Sequence, residues 1–191
     1  KRGQKGAVTI NASSKLTTSS AWQLPKVQTK YKRGYCSDVY DDSGKYLRTD
    51  YLDKAYSSWG ETAAPGEQTY DNIGDFFQTG WATDNNVSVS TGGENSNMYL
   101  STSYYDQSGI IPTTGYEKFT FRFNGEQKWK MLTFGINAAY SKSNTSKTLT
   151  SSALFGSAGS GTMSRVYNYS AFDDMRIYQN EDGSRYRLPG A

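Results

Sequence analysis

Histidine is absent from this 191-residue chain, and cysteine occurs once, at Cys36. The first absence removes His-liganded metal sites and any nucleophile–His arrangement. The second leaves no internal disulfide framework. No apolar run approaches the roughly 20 residues of a membrane helix. Lys1-Arg2 leads into no apolar core, so nothing here reads as a signal peptide. Net charge is only +3, too small to point to nucleic acid as a partner. Hydrophobic residues make up 35%, too little for an ordinary dense core. No carboxylate pair has the setting of an acid–base dyad. We therefore expect no catalytic, cofactor-binding or metal-binding residue, and no enzyme.

What is present is aromatic and polar: 16 Tyr and 8 Phe, amid much Ser, Thr, Asn and Gly, a mixture that suits strands and long polar loops. Charge is unevenly spread. Residues 1–33 hold eight Lys or Arg and no acid, residues 34–94 hold eleven acids against three bases, and 95–191 hold ten bases against seven acids. These blocks read as solvated loops. The missing initial Met and the break at Pro189-Gly190-Ala191 lead us to expect a fragment of a longer chain.

The clearest pattern lies between Val87 and Thr145, where residues alternate with period two, the mark of strands with unlike faces. One face carries Val87, Val89, Met98, Leu100, Tyr104, Phe119, Phe121, Phe123, Leu132, Phe134, Ile136 and Tyr140. The other carries Ser101, Ser103, Lys118, Thr120, Arg122, Asn124 and Asn137. Ala7–Lys15 is a weaker strand of the same type, with Val8, Ile10 and Ala12 against Thr9, Asn11 and Ser13. Between these segments, 16–85 is irregular, with helical candidates at Asp50–Ser57 and Ile73–Gln78, the second capped by Asp71 or Asn72. Gly92–Ser96 and Glu126–Lys130 read as short connections, Ser108–Gly115 as a longer one. Asn180-Glu181-Asp182-Gly183 reads as the turn of a hairpin joining Met175–Tyr178 to Arg185–Leu188.

Alternation leaves two architectures open. In a soluble sandwich the apolar face packs on a second sheet; in an outer-membrane barrel it meets lipid while the polar face lines the interior. Three features favour the barrel. The strands span about nine to twelve residues, as a tilted membrane strand requires. Connections run short, long, short. Tyr104 and Tyr140 lie near strand ends on the apolar face, where an aromatic girdle sits. The soluble reading, an extracellular carbohydrate-binding β-sandwich module, needs a second sheet that 16–85 does not offer.

Five segments resemble, in order, motifs of the SusC/RagA family of TonB-dependent outer-membrane transporters. Lys1-Arg2-Gly3-Gln4-Lys5-Gly6 resembles the run that ends its plug. Leu24-Pro25-Lys26-Val27-Gln28-Thr29-Lys30-Tyr31 is similar to its "LPxxQxxY" stretch, and Asn72–Gly80 to its "NxxDFFQTG" motif. Asn86–Gly93 departs slightly from its "NSVSVSGG". Tyr99–Ile110 resembles "YxxSxxYxxQxGI". Residues after 145 match only loosely. The resemblance implies part of an all-β transmembrane barrel of about 22 strands, some five of them here, with long irregular extracellular loops. Residues 1–6 are then the end of the plug, 7–15 the first barrel strand, and 16–86 a long extracellular loop with short helices. Residues 87–145 are barrel strands with tight periplasmic turns, and 146–191 an extracellular loop with a hairpin. The implied partners are outer-membrane lipid, a SusD-like lipoprotein, TonB acting on a part outside this chain, and an oligosaccharide or peptide substrate.

Asp41-Asp42-Ser43-Gly44 and Asp173-Asp174 invite a calcium or dyad reading, but neither has calcium-loop spacing and we read them as turns. Trp22, Trp59, Trp81 and Tyr105 are read as loop aromatics that could stack on sugar rings, with loop packing or partner contact the preferred reading, and Cys36 as an incidental thiol.

Overall fold

The computed structural model describes residues 6–148 and 161–188. In chain order the elements are β1 (Gly6–Ser19), β2 (Gly34–Tyr40), β3 (Tyr46–Leu52), β4 (Ser58–Trp59), α1 (Asn72–Phe76), β5 (Gly80–Gly92), β6 (Ser96–Ser108), β7 (Gly115–Trp129), β8 (Leu132–Ser146) and α2 (Thr162–Tyr167). They fall into two compact units, one built on 6–21 and 78–148, the other on 22–77 and 161–188.

The first unit is one antiparallel sheet in the order β1-β5-β6-β7-β8. It does not close on itself. Directly opposed residues of an antiparallel pair point to the same face, so each rung can be read across. One rung runs Ile10, Val89, Leu100, Phe123, Ala138, and the next Ala12, Val87, Thr102, Phe121, Tyr140. The rungs between them run Asn11, Ser88, Ser101, Arg122, Ala139 and Ser13, Asn86, Ser103, Thr120, Ser141. The meander expected from the alternation is thus present, and the fold is all-β.

Its strands are longer than the alternation suggested, at 13 to 15 residues. β1 continues to Ser19, and β5 begins at Gly80 instead of Val87. These extensions pair Ser14–Ser19 with Gly80–Asn85, where polar residues occupy both faces and erase the period-two signal. The Ser14 hydroxyl donates to Asn85 Oδ1 across the ladder at 2.6 Å. Glu126–Lys130 is likewise mostly strand: Glu126, Gln127 and Lys128 pair with Gly135, Phe134 and Thr133. Only Lys130 and Met131 make the turn, with Lys130 in the left-handed region at φ 53°.

The second unit holds a small sheet in the order β3-β2-β4. β2 and β3 form a hairpin, and β4 adds in parallel at Gly34 and Tyr35. Here the helix expected at Asp50–Ser57 is overturned, since Asp50–Leu52 belong to β3. Residues such as Thr49 and Tyr51 favour a pleated chain, and Thr49 Oγ1 donates to Asp38 Oδ1 across the hairpin at 2.6 Å. The helix at 73–78 forms one residue early, as α1, with Asp71 as its cap accepting from Gly74 N at 3.0 Å. The hairpin expected at 175–188 shrinks to one bridge, Gln179 to Arg185, although its turn forms with Gly183 at φ 79°. The expectations for 1–5, 149–160 and 189–191 lie outside the described residues.

Packing separates the units. The buried apolar side chains among the described residues are Ala55, Ile73, Val166, Ala171 and Leu188, all in the second unit. In the first unit Val87, Met98, Tyr104, Phe119, Leu132, Phe134, Ile136 and Tyr140 are all exposed.

Candidate functional site

The sheet sorts side chains by chemistry before any ligand is considered. The register places all twelve residues of the apolar set on one face and all seven of the polar set on the other. At the β1/β5 end, Trp81 lies opposite Ser108 on the apolar face, beyond Tyr104 and Tyr140. At the opposite end Trp129 faces Leu132 beside the Lys130-Met131 turn. The apolar face is therefore rimmed by aromatics at both strand ends, half of which the alternation did not show. Trp81 and Tyr105, read from sequence as loop aromatics, are strand residues of β5 and β6.

The polar face has its own aromatics. Tyr99 opposes Ser90 and Asn124, and the Tyr105 and Tyr116 rings sit 5.9 Å apart. Lys118 and Arg122 stand on this face opposite Tyr105 and Ser101. A wall with hydroxyl, amide and cationic groups on one side and bare apolar rings on the other can separate two media.

The second unit is held by polar keystones that sequence reasoning passed over. Asn72, 5% exposed, donates through Nδ2 to the carbonyls of Ser170 and Asp173 at 2.9 and 2.7 Å. Its Oδ1 accepts from Met175 N at 3.0 Å. One amide thereby ties α1 to a segment about a hundred residues away. Arg33 donates from Nε to Asp53 at 2.9 Å and from Nη1 to Asp173 at 2.5 Å. Gln28 is fully engaged as well. Its Nε2 donates to the carbonyls of Tyr31 and Ser58, and its Oε1 accepts from the N–H groups of Lys30 and Tyr31.

Asp41 is a turn residue: its Oδ1 accepts from Ser43 N and Lys45 N at 2.9 Å each, which holds its carboxyl below the usual range, the Ser43 hydroxyl contributing most. Asp173 and Asp174 face different arginines, Arg33 and Arg176. Among the described residues no group of three His, Cys, Asp or Glu is placed to hold a metal ion. Cys36 is an exposed free thiol.

Beside the Gln28 anchor lies an open cleft of about 650 Å³, walled by the 25–28 loop, Tyr56–Trp59 and Tyr167-Asn168, with buried Ile73 beneath. Trp59 is 64% exposed and packs on Tyr31 with ring centroids 5.8 Å apart.

The structure thus defines an all-β chain with two units, an open five-stranded antiparallel sheet and a unit of long loops around a small three-stranded sheet. The chain is similar to the TonB-dependent receptor P3 of Formosa agariphila, 25% identical over 184 residues that cover 96% of this chain. It spans 17% of that relative's length. No family model matches it.

Proposed function

We propose that this chain is part of a SusC-like TonB-dependent importer of the bacterial outer membrane. The five strands form a stretch of barrel wall, with the face of Phe119, Phe121 and Phe123 toward lipid and the face of Thr120, Arg122 and Asn124 toward the interior. The second unit is an extracellular loop lobe. Glycan or peptide nutrients pass with the help of a SusD-like lipoprotein, and TonB acts on a region outside this chain. The role is transport and not catalysis.

The observation that carries this reading is the uncovered apolar face. A soluble sheet of this size buries its apolar side on a partner layer, yet none of the described buried apolar side chains belongs to the first unit. Strands of 13 to 15 residues exceed the 9–11 or so that a tilted span needs. The similarity to a TonB-dependent receptor over nearly the whole chain supports the same reading. The decisive test is extraction of the full-length gene product. Partition into detergent micelles with heat-modifiable gel migration is expected, and release into aqueous buffer as a monodisperse monomer sinks the proposal.

A further inference from the structure

We propose that the cleft between the 25–28 loop, Tyr56–Trp59 and Tyr167-Asn168 is a glycan-binding subsite that takes a pyranose ring bearing an acidic group. This rests on the importer reading above and deepens it by choosing between glycan and peptide.

The argument begins with volume and lining. At about 650 Å³ the cleft falls within the range of small-ligand sites. Two aromatic side chains line it with much of their surface uncovered, Trp59 at 64% and Tyr167 at 43%. Exposed flat rings suit the apolar faces of sugars, because they offer contact area at low conformational cost.

Polar groups at its walls lack partners among the described residues. The Ser57 and Ser58 hydroxyls have no hydrogen bond with a described residue, while the Ser58 carbonyl is already taken by Gln28. Asn168 spends its Nδ2 on the Ser164 carbonyl at 2.9 Å and the Ser164 hydroxyl at 3.5 Å, and its Oδ1 accepts from no described residue. Hydroxyls and an amide oxygen beside bare rings suit a polyhydroxylated ligand. An extended peptide would instead seek backbone edge groups, and Gln28 has already taken the carbonyl of Ser58, which lines the cleft.

Charge selects further. Lys26 is the one ionisable side chain other than tyrosine lining the cleft, is exposed, and makes no ion pair with a described residue. Among the described residues no carboxylate lines the cleft. Lys30 adds a second cation nearby, its Nζ 5.3 Å from the centre of the Tyr31 ring that packs on Trp59. A carboxylate-bearing sugar would find a charge-assisted donor here and no opposing acid.

The backbone at the cleft is also held against its preference. Tyr56 adopts φ 59°, which a bulky residue seldom does. Its ring lies under the Arg165 guanidinium at 4.4 Å and 6.3 Å from the Tyr169 ring. Strain of this kind concentrates where a fold must present a set shape to a ligand.

The test uses the full-length protein in detergent and titration calorimetry with three probes: tetragalacturonate, cellotetraose and tetra-alanine. Tetragalacturonate is expected to bind best. Trp59→Ala should weaken it by about tenfold. Lys26→Ala should weaken it severalfold, with a loss that shrinks as salt rises. Tyr167→Ala, at a second exposed ring, repeats the test should Trp59→Ala fail to fold. No binding of tetragalacturonate, binding unchanged in the variants, or cellotetraose or tetra-alanine binding as tightly would each overturn the inference. Heat-modifiable migration, measured on the same samples, judges the importer reading separately: a migrating barrel that ignores all three probes removes only the cleft.

Discussion

The Phe119 and Tyr140 rings lie 6.4 Å apart although they are not directly opposed: Phe119 faces Lys142, and Tyr140 faces Phe121. They meet across the diagonal of the β7–β8 ladder, a distance only large side chains bridge. The pair marks where the apolar band on β7 and β8 gives way to polar residues, since the next rung on that face places Glu117 opposite Asn144.

That boundary makes the two faces experimentally distinct. Phe121→Arg, within the apolar band, should destabilise the full-length protein in lipid by about 2–4 kcal/mol. Thr120→Arg, one residue along and on the other face, should cost under about 1 kcal/mol. Unfolding in guanidinium from lipid vesicles checks both. Equal costs on the two faces would contradict lipid contact.

The wall was legible because Phe119, Phe121 and Phe123 alternate with Lys118, Thr120 and Arg122, a pattern that barely depends on the rest of the molecule. Its ends were not. Leu16–Ser19 and Gly80–Asn86 carry polar residues on both faces, so pairing there follows from the ladder already begun and not from local pattern. The β2–β3 hairpin escaped for a related reason: Tyr35, Cys36, Ser37 and Asp38 are all exposed and show no alternation. Asn72 looked like one more cap candidate. Its work depends on Ser170, Asp173 and Met175, which only the folded chain brings near.

Removing that amide gives a second prediction. Asn72→Ala strips three hydrogen bonds from a nearly buried position, leaving two carbonyls and one N–H without their partner. A loss of about 2–4 kcal/mol in the second unit is expected. Asn72→Asp should rescue only the Met175 bond. Hydrogen exchange at Met175 and in α1 reads the effect, and unchanged protection in Asn72→Ala would refute the keystone role.

Arg33 supports a third. Its guanidinium serves Asp53 and Asp173 at once, and Asp173 Oδ2 is buried with no partner among the described residues. Arg33→Lys keeps the charge but cannot span both carboxylates. With part of the pair solvent-screened, the expected loss is about 1–2 kcal/mol for lysine and more for alanine. Denaturant unfolding followed by Trp59 fluorescence measures it, and a lysine variant as stable as the parent would show that one carboxylate suffices.

Gly34 offers a backbone test. It sits at φ 114°, and an added Cβ would lie 2.5 Å from the Leu52 carbonyl oxygen. That carbonyl belongs to the adjoining strand of the β2–β3 hairpin, so it has little room to yield. Gly34→Ala should therefore open the start of the hairpin and raise exchange at Tyr35 and Leu52. Preserved protection at both would show that the sheet absorbs the side chain.

The last prediction concerns alkaline pH. Burial pushes the Tyr169 hydroxyl up to about 12, helped by the Asp173 carboxylate, while Arg33 acts in the opposite direction. A value above the ordinary 10.0 means that the folded state holds the proton more tightly than the unfolded chain. The contribution is therefore complete below pH 10 and disappears as pH climbs from about 10 to 12, so ionisation favours unfolding. Tyr169→Phe, which keeps the ring near Tyr56 but has no proton to lose, should narrow its stability gap with the parent across that window. Urea unfolding at pH 9 and pH 11.5 gives the two gaps, and difference absorbance of tyrosinate locates the ionisation itself. A gap that stays constant, or a difference signal already complete at pH 10.5, would show that the Tyr169 proton is not held by the fold.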